Sequence, residues 1–473
     1  MITTTNNAVN LPEIVVATLR TICGDRYVIT DTDILYGYGK DETLDLHFPF
    51  DILVKPGTAE EIAGILQLCN EHRIPVTPRG GGSGVTGGAL PVERGIVLSL
   101  ERLNKIVGIN TVDHCVTVES GVVTADLCAA VQEAGLCFPV PPSSAAYSFV
   151  GGNVAENAGS ISSCKYGTTR QYVLNLQVVL PTGEIIWTGA NVMKNSTGFN
   201  LTQLFTGSEG VLGIITQVVY RLIPAPKHQL SLLAGFEKLE DACAAIVAIK
   251  QSGILPAAVE LICRNAMEVA AAFLAEPLPL VTDQINAHVL LNLEERSENR
   301  LMEAMEEAGA ILEKYTGENI LTATTTKEKE QLWKLRFNIG AALTSGAKKY
   351  RDIDIAVPLS VLYPYIRQVE AICAAHGVTV ACFGHALDGN LHTMLQFNAQ
   401  ADAAEEKRVA QVVAEIYDFA LANGGVISGE HGIGLLQRPF MSKQFPAAQL
   451  ALMKDIKTLF DPNGILNPGK VVL

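Results

Sequence analysis

Residues 79–89 read RGGGSGVTGGA and close a strand–helix–strand pattern that begins near residue 51. The pattern is DILVKPGT, then the amphipathic AEEIAGILQLCNEHR, then IPVTPRG. Glycines lack side chains, so their backbone N–H groups can approach an anion such as a pyrophosphate. The glycines of this loop are Gly80, Gly81, Gly82, Gly84, Gly87 and Gly88. A flexible linker has a similar composition, so the glycine-rich loop (residues 79–89) alone leaves both interpretations open.

The glycine-rich loop differs from two common nucleotide-binding motifs. A G-x-G-x-x-G pattern can be placed on Gly82 and Gly84, but the NAD fingerprint also requires a helix to open there, and the following residues do not favour one. The chain contains no GxxxxGK[ST] motif of the kind that phosphate-transferring ATPases use. We therefore expect a ligand other than NAD or ATP.

Two later stretches also have the composition of a cofactor-binding surface. Residues 138–159, FPVPPSSAAYSFVGGNVAENAG, and residues 204–224, LFTGSEGVLGIITQVVYRLIP, combine turn-forming residues with hydroxyl, amide or carboxylate side chains. Beyond Pro226 the chain changes to strands and long amphipathic helices, for example over residues 237–253 and 297–315. No second glycine-rich loop follows, which indicates a separate domain.

Length and charge limit the classes of function. A chain of 473 residues suggests two or three domains, and a net charge of −14 argues against a nucleic-acid partner. The ten cysteines are scattered without a CxxC pair, which is typical of reduced thiols in a cytoplasmic protein. The amino terminus does not resemble a signal peptide, and no long apolar run occurs. We expect a soluble cytoplasmic protein, with peripheral docking on a membrane complex left open.

A second motif, FGHALDGNLH at Phe383–His392, places a histidine on each side of an Asp-Gly pair. If Asp388 and Gly389 form a two-residue hairpin turn, His385 pairs directly with His392. Directly paired residues share a face with Cβ atoms about 5 Å apart. Both imidazoles could then reach one ion, because zinc–nitrogen distances are about 2 Å. Two histidines leave such a site incomplete, so a third ligand is expected elsewhere.

Seven stretches, taken in chain order, together resemble the FAD-linked oxidases of the p-cresol methylhydroxylase fold. They are PVTPRGGGSGVTGGA, PPSSAAYSFVGGNVAENAG, KYGTTRQYVLNLQVVLPTGE, TGSEGVLGIIT, GHALDGNLH, SGEHGIG and LFDPNGILNPGK. The resemblance is to the 2-hydroxy-acid branch of D-lactate dehydrogenase, the D subunit of glycolate oxidase and D-2-hydroxyglutarate dehydrogenase. It implies an α+β fold: a two-part FAD-binding domain, a substrate cap on an antiparallel sheet, and a carboxyl-terminal segment that returns to the flavin.

The domain boundaries follow from this resemblance and from the change of pattern after Pro226. We expect an N-terminal helical segment at 1–50, the FAD-binding domain at 51–225, the cap domain at 226–420 and the C-terminal segment at 421–473. FAD is expected to be non-covalent, because relatives that tether it have a histidine where Ser83 stands. The residues expected at the cofactor are Pro78, Arg79, Gly80, Gly81, Gly82, Ser83, Gly84, Thr86, Gly87, Gly88, Pro142, Ser143, Ser144, Gly151, Gly152, Asn153, Asn157, Gly159, Tyr166, Gly167, Glu209, Gly210, Gly213, Ile214 and Asn467.

The resemblance also supplies the third metal ligand, Glu430 of SGEHGIG, beside His385 and His392. Two histidines and one carboxylate leave open positions, as in catalytic sites, and zinc, manganese and ferrous iron all tolerate this set. We expect an apolar strand to lead into this glycine-rich turn. His431 is the expected general base, kept neutral by burial and the nearby cation. It would take the C2 hydroxyl proton of a metal-bound 2-hydroxy acid while hydride leaves for flavin N5.

A carboxylate substrate also requires a cationic anchor. Trp333 and Arg336 lie three residues apart on one predicted helical face, and the resemblance gives Arg336 the bidentate carboxylate-binding role. Asn390 is expected to add an amide hydrogen bond, and Trp333 and His431 are also expected to contact the substrate. Three of these residues have a simpler interpretation: a surface salt bridge for Arg336, a core position for Trp333 and a supported turn for Asn390.

The choice of substrate and electron acceptor is less defined. Gly340 and Asp352 stand where 2-hydroxyglutarate enzymes have Thr and Lys, which favours D-lactate or glycolate over D-2-hydroxyglutarate. No cysteine cluster or haem motif is present, so electrons should pass to an electron-transfer flavoprotein, an iron–sulfur subunit or a quinone. A homodimer or a hetero-complex is expected. A flavin oxidase that uses oxygen and an electron-relay subunit without catalysis remain the alternatives.

Overall fold

The computed structural model describes residues 11–275, 278–316, 319–345, 348–398 and 403–472. The chain divides into two compact units. The first unit consists of Met1–Ser160, Thr168–Ala225 and His431–Leu473. The second unit consists of Ile161–Gly167 and Pro226–Glu430. No helix among the described residues is both long enough and apolar enough to span a membrane.

The helices and strands are numbered along the whole chain. The helices are α1 Glu13–Cys23, α2 Thr32–Tyr38, α3 Ala59–His72, α4 Thr124–Glu133, α5 Val150–Glu156, α6 Ser163–Tyr166, α7 Leu201–Phe205, α8 Leu239–Ser252, α9 Arg264–Leu274, α10 Glu298–Thr316, α11 Thr326–Thr344, α12 Leu362–His376, α13 Ala403–Ala422, α14 Met441–Gln444 and α15 Ala447–Phe460. The strands are β1 Val28–Ile29, β2 Ile52–Val54, β3 Val76–Arg79, β4 Ile96–Ser99, β5 Ile106–Asn110, β6 Cys115–Glu119, β7 Leu136–Cys137, β8 Val173–Val179, β9 Ile185–Trp187, β10 Ile214–Arg221, β11 Ile223–Pro224, β12 His228–Phe236, β13 Ala258–Cys263, β14 Ala287–Glu295, β15 Ile320–Ala323, β16 Lys348–Ala356, β17 Thr379–His385 and β18 Asn390–Asn398.

The first unit contains two larger sheets, as expected for a two-part domain. One has the strand order β1-β2-β4-β3, with parallel pairing of β4 to both β2 and β3. The other has the order β5-β6-β10-β8-β9 and is antiparallel. The predicted strand–helix–strand pattern is confirmed as β2, α3 and β3. Thr58 caps the amino terminus of α3 by accepting from the backbone N–H of Glu61, and the helix buries Ile62, Ile65 and Leu66 against the first sheet.

The glycine-rich loop follows β3 and packs closely, which excludes a plain linker. A Cβ atom added to Gly81 would lie 2.3 Å from the backbone oxygen of Tyr147, so only glycine allows this approach. Gly82 has a φ of 73°, which other residues rarely adopt. By contrast, Cβ atoms on Gly84 and Gly152 would meet nothing within 4 Å. The loop is therefore held rigidly at some glycines and faces open space at others.

The second unit is built on a seven-stranded antiparallel sheet with the order β15-β12-β14-β13-β17-β18-β16. This confirms the predicted antiparallel cap. Helices α9 and α11 pack on one face, where they share a buried cluster with Ile262, Phe383 and Met394. Helix α12 lies on the opposite face, where Tyr365 and Thr393 hydrogen bond through their hydroxyl groups at 3.0 Å. The predicted helix around Trp333 and Arg336 is confirmed as part of α11.

Candidate active site

The hairpin of β17 and β18 carries both histidines, but its register differs from the prediction. Phe383, not His385, is the Cα partner of His392, so the direct pairing of the two histidines is wrong. The chain reverses through a 3₁₀ turn at Ala386–Asp388 followed by Gly389 with a φ of 78°. Burial of Ala386 and Leu387 favours this longer loop, and the backbone of Gly389 accepts from the N–H of Val357 at 3.0 Å.

The longer loop still brings the histidines together. Side chains alternate along a strand, so Phe383 and His385 project to the same face, and His392 shares it as the partner of Phe383. A register shift of two residues preserves the face, whereas a shift of one would have reversed it. The two imidazole rings lie 5.6 Å apart between centroids.

Neighbouring strands add carboxylates to the same face. Glu260 on β13 is the Cα partner of His385, and Asp354 on β16 is the Cα partner of His392. Direct cross-strand partners project from the same side of the sheet. Four strands therefore place two carboxylates and two imidazoles side by side, although these residues are far apart in sequence.

Glu430 completes the predicted metal-ligand group. Its Oε1 lies 3.4 Å from Nε2 of His385 and 3.4 Å from Nε2 of His392. One ligand atom from each residue can be chosen so that all three lie within 4.8 Å of one another. Two imidazole nitrogens and one carboxylate oxygen that converge in this way fit a divalent ion such as zinc, manganese or ferrous iron.

The backbone of Glu430 is fixed by Asp354. Oδ2 of Asp354 accepts from the N–H groups of Gly429 at 2.9 Å and Glu430 at 2.8 Å. The strand predicted before this turn is only a single bridge between Val426 and Ala356. In place of a regular ladder, the Asp354 carboxylate binds the backbone of this turn at two successive N–H groups.

Asn390 supports Asp354. Its amide nitrogen donates to Oδ1 of Asp354 at 2.7 Å and to the backbone oxygen of Ile355 at 2.8 Å. These bonds use both amide hydrogens, so only the amide oxygen could meet a substrate group. A Cβ atom on Gly429 would lie 2.1 Å from this amide nitrogen, which explains the glycine there. The substrate-binding role of Asn390 stays a prediction.

Glu260 is fully buried and contacts two cationic side chains. Its Oε1 accepts from Nδ1 of His385 at 2.5 Å, and its Oε2 accepts from Nε of Arg336. Burial alone would raise the carboxyl pKa, but Arg336 and His385 outweigh it and lower the pKa of Glu260 to about 2. Burial disfavours protonated His385, yet Glu260 and Glu430 raise the pKa of His385 well above its ordinary value.

Arg336 reaches this cluster from α11. The helix begins with a capping box in which Thr325 and Glu328 exchange hydrogen bonds. The Arg336 guanidinium lies 4.9 Å from the ring centroid of Phe383. Arg336 is buried, so the interpretation as a surface salt bridge is wrong, and among the described residues its Nη atoms have no hydrogen-bond partner. Its role as substrate anchor stays a prediction.

Trp333 has the contacts of a core residue. Its indole N–H donates to Oγ of Ser231 at 3.0 Å, and its ring stacks on Phe337 at 5.3 Å. It belongs to a buried cluster that includes Leu233 and Leu290. These contacts agree with a core position for Trp333. Its contact with substrate stays a prediction.

His431 is the first residue of the last segment of the first unit. Its backbone oxygen accepts from Oγ1 of Thr86 at 3.2 Å. The next residues are bound by Glu209, whose carboxylate accepts from the N–H groups of Ile433 at 2.7 Å and Gly434 at 2.6 Å. The segment is therefore attached to the glycine-rich loop, and the role of His431 as base stays a prediction.

Several residues predicted at the cofactor lie together in the first unit. A Cβ atom on Gly80 would be 3.7 Å from Gly152, and one on Gly210 would be 2.7 Å from Pro78. Asn467 donates from its amide to the backbone oxygen of Gly88 at 3.1 Å. A glycine-lined cradle with open space at Gly84 and Gly152 fits a large cofactor such as FAD.

Other predicted cofactor residues lie elsewhere or already have protein partners. Tyr166 and Gly167 belong to the second unit, where the Tyr166 hydroxyl donates to Glu294. A Cβ atom on Gly213 would meet Val178 and Phe205 in the core of the first unit. Asn157 ends α5, and its side chain accepts from the N–H of Arg170 at 2.9 Å. Their contacts with a cofactor stay predictions.

Sequence reasoning missed Glu260, Asp354 and Asp388. Glu260 is the one charged residue in the otherwise apolar strand Ala258–Cys263, a signal that could have identified it. Asp354 alternates with isoleucines on β16, which gives a similar signal. The sequence indicates only a turn role for Asp388, yet burial raises the pKa of its carboxyl to about 6.

Comparisons with known proteins agree with the sequence and the fold. Residues 50–189 match the FAD binding domain family, and residues 225–471 match the C-terminal domain family of FAD linked oxidases. The chain is 36% identical over 424 residues to a D-lactate dehydrogenase from Anaerostipes hadrus, covering 89% of each chain. It is 36% identical over 435 residues to glycolate oxidase subunit GlcD from Bacillus subtilis, covering 92% of this chain and 91% of the relative.

The solved structures that match share the fold at low identity. Substrate-bound p-cresol methylhydroxylase superposes with a TM-score of 0.78 at 20% identity, covering 97% of this chain and 96% of that one. A 4-ethylphenol oxidase from Gulosibacter chungangensis superposes with a TM-score of 0.77 at 18% identity, covering 98% of each. The predicted α+β fold of p-cresol methylhydroxylase type is confirmed.

Proposed function

Because the chain belongs to the family of FAD-linked oxidases, we propose that it oxidises a D-2-hydroxy acid to the 2-oxo acid with non-covalent FAD and a divalent ion. D-lactate is the favoured substrate and glycolate the next candidate. The observation that carries the proposal is the convergence of His385, His392 and Glu430, all within 4.8 Å through one ligand atom each. An electron-relay subunit without catalysis would not require this group of ligands.

The two units would hold different groups. The glycine-rich loop and the residues packed against it would hold FAD, which when bound accepts two electrons as hydride. Ser83 offers no imidazole for a covalent link. His385, His392 and Glu430 would hold the ion, which when bound acts as a Lewis acid toward an alcohol oxygen.

Side chains of this protein would bind and deprotonate the substrate. The Nη atoms of Arg336 suit a carboxylate, because a guanidinium can donate two parallel hydrogen bonds. His431 would accept the hydroxyl proton as general base. Loss of that proton and of hydride from C2 together convert the alcohol to a carbonyl, which balances the oxidation.

The relatives and one acidic residue support a small monocarboxylate. The names of the A. hadrus and B. subtilis relatives refer to D-lactate and glycolate. A carboxylate oxygen of Asp352 lies within 4.8 Å of an imidazole nitrogen of His392. A second substrate carboxylate near Asp352 would be repelled, which disfavours D-2-hydroxyglutarate.

The electron acceptor is proposed to be a separate protein or a quinone. The B. subtilis relative is named as a subunit, which supports an acceptor on another chain. An electron-transfer flavoprotein, an iron–sulfur subunit and a quinone are the acceptor classes to test. Admitting air after anaerobic reduction distinguishes these from a true oxidase, because an oxidase would give stoichiometric peroxide.

The test is anaerobic reduction of the purified flavoprotein by each substrate. The loss of oxidised-flavin absorbance measures the rate of reduction. The panel contains D-lactate, L-lactate, glycolate and D-2-hydroxyglutarate, each with native protein, chelator-treated protein and protein resupplied with Zn²⁺ or Mn²⁺. We expect D-lactate to reduce the flavin fastest, with loss of rate after chelation and recovery with metal. Equal rates after metal removal verified by elemental analysis would refute the role of the ion.

A further inference from the structure

Glu260 is a buried carboxylate to which the proposed reaction assigns no part. Its side chain is 0% exposed in the otherwise apolar strand Ala258–Cys263. Burying an isolated ionised carboxylate is strongly unfavourable, so such a group persists only with good partners. The identity of those partners therefore indicates what the residue does.

Each oxygen of Glu260 contacts a different functional side chain. Oε1 accepts from Nδ1 of His385, a proposed metal ligand, and Oε2 accepts from Nε of Arg336, the proposed carboxylate anchor. One carboxylate thus touches both halves of the proposed substrate site. The strand register explains this position, because Glu260 is the Cα partner of His385.

We propose that Glu260 is a positioning residue that orients the metal-binding and carboxylate-binding groups together. The inference rests on the proposed function and deepens it. Because Nδ1 of His385 donates to Glu260, the neutral ring that an ion requires has its lone pair on Nε2, the atom 3.4 Å from Glu430. Carboxylates that hold metal-ligating histidines in this way fix the tautomer and raise ligand basicity.

Glu260 positions Arg336 by the same means. The guanidinium is held at Nε by Glu260 and lies over the ring of Phe383, 4.9 Å from the centroid. Phe383 in turn lies 5.2 Å from the ring of His392. Two contacts therefore define the guanidinium plane and leave the Nη atoms for a carboxylate ligand.

The test measures two binding constants on the full-length FAD-loaded protein. The first is the dissociation constant of Mn²⁺, measured by electron paramagnetic resonance of the free ion. The second is that of pyruvate at saturating Mn²⁺, followed by the change in flavin absorbance. Both constants report on binding without turnover, so they separate positioning from a general loss of activity.

Glu260→Gln is the main variant, because it keeps the shape but replaces one acceptor oxygen with an amide donor. We expect the Mn²⁺ constant to rise roughly 10- to 100-fold, as for other residues that hold metal ligands. We expect the pyruvate constant to rise roughly tenfold, the weight of one charged hydrogen bond. Arg336→Gln should raise the pyruvate constant and leave the Mn²⁺ constant close to that of the wild type.

Glu415→Gln is the matched control. Glu415 also accepts from a histidine in the second unit, Nε2 of His376 at 3.2 Å, but it belongs to no proposed site. Both constants should stay at wild-type values. Thermal unfolding and FAD content of every variant show that the comparison is made between folded flavoproteins.

The outcomes separate this inference from the proposed function. If wild-type protein binds neither Mn²⁺ nor pyruvate, the proposed function fails and the inference with it. If the wild type binds both and a folded Glu260→Gln binds both equally well, the inference alone is overturned. Glu260→Asp covers a failure of Glu260→Gln to fold, because its carboxylate is one methylene too short to reach both partners. For Glu260→Asp, at least one of the Mn²⁺ and pyruvate dissociation constants should rise. If both stay at wild-type values, a buried charge without the two contacts is enough for binding, and the positioning role is overturned.

Discussion

Glu260 in the second unit and the pair Glu156 and Glu209 in the first unit are buried carboxylates in opposite electrostatic surroundings. Glu260 has Arg336 and His385 as partners, and its pKa falls to about 2. Burial raises the pKa of Glu209 to about 7, and burial together with Glu209 raises that of Glu156 well above its ordinary value. The second unit therefore keeps a permanent anion that can organise cations.

The first unit uses its carboxylates differently. Glu209 accepts hydrogen bonds from two backbone N–H groups of the segment that follows His431. Oε2 of Glu156 is buried and has no hydrogen-bond partner within the part of the chain that the structure describes. A Cβ atom on Gly432 would lie 2.2 Å from this oxygen and 3.1 Å from Oε1 of Glu209. Here Glu209 holds backbone, and the glycine at 432 makes the close approach of both carboxylates possible.

The largest expected effect is on flavin reduction, after loss of a metal-ligand side chain in the second unit. His392→Ala removes one of the three converging ligands and should abolish tight metal binding. Loss of Lewis-acid assistance is worth several kcal/mol, so flavin reduction by D-lactate should slow by roughly a thousandfold. FAD content should be unchanged, because the change lies in the second unit. Stopped-flow flavin reduction with elemental analysis checks this, and an unaltered rate would contradict it.

The next effect concerns the pH dependence of stability in the first unit. The pKa of Glu209 is about 7 in the folded protein and 4.5 for an ordinary Glu, so the folded state binds the proton more tightly. The resulting contribution to the free energy of unfolding is complete below pH 4.5 and is lost as pH rises toward 7. Glu209→Gln does not titrate, so its stability relative to the wild type should increase with pH by up to roughly 3 kcal/mol. Urea unfolding across this pH range measures the difference. A gap that is constant with pH would show that the pKa of Glu209 is not raised in the folded state.

A smaller effect tests the close approach at Gly432. Gly432→Ala combines a φ of 77° with a Cβ atom 2.2 Å from Glu156, and overpacking of this kind costs roughly 1–3 kcal/mol. Gly198→Ala is the control, because Gly198 has a φ of 75° but nothing within 4 Å of the added atom. Thermal unfolding should show a larger loss for Gly432→Ala. Equal losses would mean that only backbone strain matters.

The two regions also differ in how far sequence could predict them. The glycine-rich loop is contiguous, so the sequence alone narrows it to an anion-binding loop or a linker, and the close packing at Gly81 in the structure excludes the linker. The second site depends on register across β13, β16, β17 and β18, which no single stretch specifies. The predicted two-residue turn gave the wrong partner for His392 but the right face, because the error was an even number of residues.

Residues that act through others were the hardest to predict. Glu260 lies 125 residues before His385 in the chain, and only the pairing of β13 with β17 brings them together. Asp354 likewise accepts from the backbone N–H of Glu430, 76 residues later in the chain. A motif contains the ligands of a site, whereas their supports are distributed over the sheet. In sequence, Glu260 is visible only as the one charged residue of an apolar strand, and Asp354 only as a carboxylate between two isoleucines.

The smallest effect decides between core and substrate contact for Trp333. Trp333→Phe removes the hydrogen bond to Ser231 but keeps most of the packing with Leu233 and Leu290. The cost to stability should be about 1 kcal/mol, the net value of one buried hydrogen bond. The KM for D-lactate should not change, because the indole N–H already has a protein partner. A rise in KM without loss of stability would place Trp333 among the substrate-binding residues and leave Arg336 as one of two contacts from α11.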